Sequence, residues 1–182
     1  MPDSPRTLIR PSTPADLPAI AEIYRWNVLH GTGTFELDAP DLAEMTSRRQ
    51  DVVGKSLPWL VAERDDSVLG YAYANQFRPR PAYRFCLEDS IYLAPAATGQ
   101  GIGRLLLAEL LARSEAAGAR QMLAVIGDSA NAASIAVHRA FGFERVGTLK
   151  AVGWKFDRWL DVVLMQKRLG CGESSPPGAA TG

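Results

Sequence analysis

The stretch Ile91 to Leu107, IYLAPAATGQGIGRLLL, joins a short apolar run of strand type to a turn holding three glycines and then to an amphipathic helix. Glycines at 99, 101 and 103 remove Cβ atoms where the backbone has to curl, so that consecutive N–H groups converge on one anion. Arg104 and the helix start add positive potential at the same place. Two nucleotide fingerprints fail on these letters. After Gly99 and Gly101 the third glycine of a dinucleotide loop falls on Arg104, and no Gly-Lys-Ser/Thr follows as a P-loop requires. The expected ligand is a pyrophosphate of another kind. A glycine-rich turn with no ligand is the alternative for the loop taken alone.

The rest of the chain confines that anion site to a local feature. With 182 residues the sequence suits one domain with a substantial core, expected over residues 1–169. Twenty basic residues (Lys+Arg 20) balance Asp+Glu 20, so no global field favours nucleic acid or an anionic membrane. Two cysteines, Cys86 and Cys171, give neither a disulfide framework nor metal spacing and fit a reducing cytoplasm. MPDSPRTLIR lacks the apolar stretch of a signal peptide, and no window approaches the ~20 apolar residues of a membrane span. A soluble, cytoplasmic protein is expected. The last residues, 170–182, GCGESSPPGAATG, have the composition of a disordered tail.

Periodicity predicts a first strand at Thr7–Arg10 and a helix begun by Thr13-Pro14-Ala15-Asp16, with Leu17, Ile20, Ala21, Tyr24 and Val28 at helical spacing. Gly31 and Gly33 open a loop through Phe35, suited to one wall of a cleft. A more polar helix runs from Pro40-Asp41-Leu42 toward Val53. Trp59–Arg64 and Val68–Phe77 flank Asp65-Asp66-Ser67 as a hairpin. The linker Arg78-Pro79-Arg80-Pro81 cannot pair as a central strand. Phe85–Leu93 is the next strand, followed by a helix over 103–117, a buried strand at Met122–Ile126, a helix over Asn131–Phe141, and strands near Val146–Phe156 and Leu160–Lys167.

The pattern Thr98-x-x-Gly101-x-Gly103 resembles the acetyl-CoA signature of the GNAT superfamily of N-acetyltransferases, Gln/Arg-x-x-Gly-x-Gly/Ala, with Thr98 in the long-side-chain slot. The backbone donors, which do most of the phosphate binding in that family, are untouched by this departure. Asn131-Ala132-Ala133-Ser134 through His138 to Gly142-Phe143 resembles the superfamily's second cofactor segment, with His138 where a tyrosine is common. His138, Glu88-Asp89-Ser90-Ile91-Tyr92-Leu93 and Gly153-Trp154-Lys155-Phe156-Asp157-Arg158-Trp159 together look like phosphinothricin acetyltransferases and their methionine sulfoximine relatives, over roughly residues 6 to 168. The resemblance implies an α/β (α+β) fold: a central seven-stranded mixed, mostly antiparallel sheet flanked by about four helices and splayed at the cofactor site. It also implies acetyl-CoA as cofactor, a small amino-acid-like acceptor and a homodimer.

An α-amine must lose a proton before attacking a thioester, so a carboxylate base is useful, and Glu88 is the candidate. Alternation places Phe85, Leu87, Asp89, Ile91 and Leu93 on one strand face and Arg84, Cys86, Glu88, Ser90 and Tyr92 on the other. Glu88 thus leaves the apolar row; on spacing alone a solvated strand carboxylate is the alternative. Asp89 falls on the apolar row, where it is costly unless hydrogen-bonded or shifted by a bulge. His138 is the candidate proton donor to the departing thiolate, against a structural histidine. The cofactor is expected along Ile91, Tyr92, Leu93, Thr98, Gly99, Gln100, Gly101, Ile102, Gly103 and Arg104, with Asn131 and Ser134 opposite. Asn131 also reads as an ordinary helix N-cap.

Acceptor binding is expected from Arg78 and Arg80, whose guanidinium forks suit a carboxylate, with Tyr83 and Phe35 as apolar walls and Lys155 as a further contact. A solvated loop is the alternative for the two arginines. The function expected is direct acetyl transfer to the α-amine of an acceptor of the phosphinothricin, methionine sulfoximine or methionine sulfone type. A protein N-terminus or polyamine as acceptor, and a non-catalytic CoA-binding module, are the competing readings. No metal site is expected.

Overall fold

In the computed structural model, which describes residues 6–177, the chain runs β1 (Leu8–Pro11), α1 (Leu17–His30), α2 (Leu42–Gly54), β2 (Trp59–Arg64), β3 (Ser67–Gln76), β4 (Cys86–Leu93), α3 (Ile102–Ala116), β5 (Gln121–Gly127), α4 (Ala132–Ala140), β6 (Glu144–Lys155) and β7 (Arg158–Arg168). The expected order of strands and helices holds, with boundaries moved by a residue or two. One seven-stranded sheet has the order β1-β2-β3-β4-β5-β7-β6. Every neighbouring pair is antiparallel except β4 and β5, which are parallel.

Strict alternation along the central strands sorts the core into two layers. Leu60, Ala62, Ala72, Ala74 and Leu87 face one side and pack with Leu106, Leu107 and Leu110 of α3. Trp59, Val61 and Tyr71 face the other and pack with Ile20, Ile23 and Val28 of α1 and Met45 and Val52 of α2. Each of these buried Leu, Ile, Val and Met side chains contributes about 1.5–3 kcal/mol of transfer free energy. The helices therefore cover both faces, and β4 contributes to both layers.

Turn chemistry closes the two hairpins. Asp65 and Asp66 have φ of 50° and 58°, and Phe156 and Asp157 have 52° and 54°, the left-handed pair that matches the twist of two-residue hairpins. Within β6 the register shifts between Leu149 and Gly153. Asp161 takes up the bulge, accepting from Ala151 N (3.0 Å) and Lys150 Nζ (2.9 Å). Of the tail expected to be disordered, residues 170–177 are mostly turns, with Arg120 Nη1 donating to Gly172 O at 3.4 Å; residues 178–182 lie outside the described residues.

Candidate active site

The site begins where the parallel ladder stops. β4 and β5 pair only from Cys86↔Gln121 to Asp89↔Ala124. Past that point β4 stays with β3 as far as Leu93↔Gly70, and β5 stays with β7 as far as Gly127↔Val162. Each strand keeps its other neighbour, so the sheet opens as a wedge whose facing edges carry unspent backbone donors and acceptors. A cleft of about 630 Å³ fills the opening, within the range of small-molecule sites. Ser90, Ile91 and Tyr92 line one side of it, Val125, Ile126 and Gly127 the other.

Two carboxylates stand at the apex on opposite faces of β4. Glu88 lines the cleft on the α1/α2 side; burial, reinforced by the charge of Asp89 and opposed by that of Arg78, pushes its carboxyl up to about 6. Asp89 lies on the apolar face, where it meets the condition set for it in the sequence: its Oδ2 sits 2.9 Å from His138 Nε2, both side chains being buried. The other ring nitrogen of His138 lies 2.8 Å from Ser134 O. The Ser134 carbonyl can only accept, so Nδ1 carries hydrogen, and an ionised Asp89 draws a second hydrogen onto Nε2, which favours a positive charge on the ring. Burial works against that charge, but the hydrogen bond and charge of Asp89 and the Ser134 carbonyl outweigh it and raise the pKa of His138. The ring is wedged edge-on against Phe143, centroids 4.9 Å apart. Asp89 Oδ1 is buried without a hydrogen-bond partner among the described residues.

From that apex β4 leads to the glycine turn. Gly99 (φ 74°) and Gly101 (φ 78°) adopt the left-handed conformation, Gly101 as the residue capping α3. The main-chain N–H groups of residues 99–103 have no protein acceptor among the described residues, five in succession at the start of a 15-residue helix. Thr98 turns its hydroxyl to Pro95 O at 2.9 Å, so it serves its own turn. Gln100 is held by Arg64 Nη1 at 2.8 Å, and Arg104 stacks 5.6 Å over Phe141. Asn131 caps α4, its Oδ1 accepting from Ser134 N at 3.2 Å, and also lines the cleft.

On the acceptor side the expectations divide. Phe35 lines the cleft together with Gly31, Thr32, Gly33 and Thr34. Arg78, Arg80 and Tyr83 lie on the exposed β3–β4 connection and are not among the cleft-lining residues. Arg78 stacks on Phe77 at 4.7 Å, and its charge reaches Glu88. Lys155, expected as an acceptor contact, does not line the cleft either. It is 4% exposed, and its Nζ donates to Gly31 O and Thr34 O, both at 2.9 Å. On the outer side of β6 and β7 the tryptophans face solvent, Trp154 53% and Trp159 62% exposed. Tyr73 and Asp128, which no motif marks, also line the cleft. They arrive through pairings distant in sequence, and no local pattern marks them.

The sequence matches the family described as Acetyltransferase (GNAT) family over residues 20–143. A phosphinothricin N-acetyltransferase of Alcaligenes faecalis is 54% identical over 162 residues, covering 89% of this chain and 82% of that protein. An L-methionine sulfoximine/L-methionine sulfone acetyltransferase of Pseudomonas aeruginosa is 39% identical, covering 92% of this chain and 98% of its own length. Among solved structures, a GNAT superfamily phosphinothricin acetyltransferase from Sinorhizobium meliloti in complex with AcCoA superposes with a TM-score of 0.93 at 49% identity, over 96% of this chain and 94% of that one.

Proposed function

The chain belongs to the GNAT family of acetyltransferases, and we propose that it moves the acetyl group of acetyl-CoA directly to the α-amine of a small amino-acid-like acceptor of the phosphinothricin, methionine sulfoximine or methionine sulfone type. One observation carries this reading: a single wedge between β4 and β5 has a half-buried carboxylate and a buried His138–Asp89 pair at its apex and leads along β4 to a run of unpaired N–H groups. The residues present fit coenzyme A. Main-chain donors at 99–103 and the start of α3 suit a diphosphate. The open edges of β4 and β5 suit an extended amide-bearing arm. When bound, acetyl-CoA supplies the acetyl group as an activated thioester.

The chain's own residues then have distinct tasks. Glu88, poised near 6, is ionised at neutral pH yet basic enough to draw a proton from the acceptor's ammonium group. The main-chain N–H of Ile91, which faces the wedge while that of Tyr92 is spent on β3, holds the negative charge that develops on the carbonyl oxygen. His138, whose protonated form Asp89 favours, releases one of its two internal hydrogen bonds to give a proton to the leaving sulfur and takes one back from solvent in the next cycle. Asn131 and Ser134 flank the arm from α4, and Phe35 forms the apolar wall of the acceptor side. Arg78 and Arg80 draw the anionic acceptor from the rim.

This reading extends to assembly and place. Val146, Leu149, Val152, Trp154, Phe156 and Trp159 are large apolar side chains exposed on β6, β7 and their turn, a surface suited to a second copy and so to a homodimer. Cys86 and Cys171 are free thiols, in keeping with the cytoplasm, and no helix among the described residues is long and apolar enough to cross a membrane. A thiol-release assay with acetyl-CoA against phosphinothricin, the two methionine derivatives, polyamines and short peptides tests the proposal. Turnover confined to the amino-acid-like acceptors is expected; turnover of peptides or polyamines alone, or of nothing, overturns it.

A further inference from the structure

Lys155 is a charged residue buried where no carboxylate pairs with it among the described residues. Burial lowers its pKa, and its two hydrogen bonds go to main-chain carbonyls of a loop more than a hundred residues earlier, Gly31 O and Thr34 O. Burying an ammonium group against carbonyl dipoles is a poor route to stability compared with an apolar side chain of the same length. It is a good way to fix a loop, because three donors on a compact head gather carbonyls that point inward from a turn.

The loop so gathered, residues 31–35, is itself one face of the cleft. Its other anchors agree with a fixed position. The Phe35 ring lies against two glycines: a Cβ on Gly153 would sit 2.3 Å from Phe35 Cε2, and one on Gly127 would sit 2.1 Å from Thr32 O and 3.0 Å from Phe35 Cε1. Neither glycine has a positive φ, so close approach of the loop, and not backbone conformation, accounts for the missing side chains. Thr34, nearly buried, exchanges a hydroxyl hydrogen bond of 3.0 Å with Tyr24. Glu36, immediately after, is tied to Arg48 at 2.6 Å.

We propose that Lys155 is a positioning residue, which with the Gly127–Gly153 slot clamps residues 31–35 as a rigid wall setting the shape of the acceptor side. This rests on the acetyltransferase reading above, in which the acceptor meets Phe35. It replaces the expected direct contact of Lys155 with acceptor by an indirect one, and it makes the wall a preformed surface and not a closing lid. Because the carbonyls are held from β6, the strand bearing part of the exposed apolar surface, the wall is also mechanically joined to that surface.

The test compares wild type with Lys155→Met, which keeps length and removes the donors, and with Gly153→Ala, which drives a methyl into the Phe35 ring. In both variants the acceptor KM rises about tenfold or more while the acetyl-CoA KM stays within about twofold. Hydrogen exchange of the amides in residues 31–36 quickens in Lys155→Met without bound acceptor. An acceptor KM within twofold of wild type, or equal rises in both KM values, overturns the clamp. If Lys155→Met does not fold, Gly153→Ala decides by the same split. If wild type turns over no acceptor at all, the functional reading fails and exchange alone decides the clamp: faster exchange upholds it, unchanged exchange overturns it.

Discussion

The two ends of the opened wedge are built from different materials. The end assigned to coenzyme A is main chain: five successive N–H groups held by left-handed Gly99 and Gly101 at the start of α3. The acceptor end and the apex are side chains brought from distant places, Glu88 and Asp89 from β4, His138 from α4, Phe35 from the loop after α1, and Lys155 beneath that loop from β6. A main-chain site tolerates change in its side chains, as Thr98 shows by standing in a position that elsewhere holds a longer residue. A side-chain site depends on each residue and on what holds it.

That contrast sets the order of expected effects. Gly101→Val should do most damage to the main-chain end: a β-branched residue is strained at φ 78°, and a shifted loop loses several donors together. Calorimetry should show acetyl-CoA binding weakened by about 100-fold or more, through loss of charge-assisted hydrogen bonds of roughly 1.5–3 kcal/mol each. Equal affinity would mean that the diphosphate does not lie there. Glu88→Gln belongs to the other end. Turnover near neutral pH should fall by about 10²-fold or more with acetyl-CoA affinity retained, and a drop in affinity of the same size would blur the two ends into one.

Asp89→Asn sharpens the division within the apex. With the carboxylate gone, burial wins and the pKa of His138 falls, so the alkaline limb of kcat should move to lower pH, with turnover down by about tenfold. An unmoved alkaline limb would take His138 out of the proton balance. Arg78→Ala is the mildest change. Because Arg78 holds the Glu88 carboxyl down, its removal should move the acid limb to higher pH and raise the acceptor KM more than that of acetyl-CoA. The opposite pattern of KM changes would move the anionic anchor elsewhere.

The same contrast explains what could be read from the letters alone. Gly99, Gly101 and Gly103 announce their turn because the requirement is local, the hairpin pattern announces Trp59–Arg64, and alternation along Phe85–Leu93 announces a strand and even the faces of Glu88 and Asp89. The partner of Asp89 was not legible beyond the statement that it needed one, since His138 reaches it from a helix 49 residues away. Lys155 departs from its expected place for a related reason. A lysine beside tryptophans in a terminal hairpin reads as accessible, and only the packing of residues 31–35 against Gly127 and Gly153 shows that it faces inward. Arg78 and Arg80 stand next to β4 in sequence, but the linker carries them onto the exposed connection, outside the cleft lining.

The most direct test of the apex is the pH dependence of kcat at saturating acceptor, where titration of free acceptor does not enter. Glu88 acts in its ionised form, so kcat should rise through a limb near pH 6 as the carboxyl loses its proton and hold from there to the alkaline limb set by His138. In Glu88→Gln that limb should vanish. A wild-type profile without a limb in this region, or one that survives unchanged in Glu88→Gln, would contradict the role assigned to Glu88.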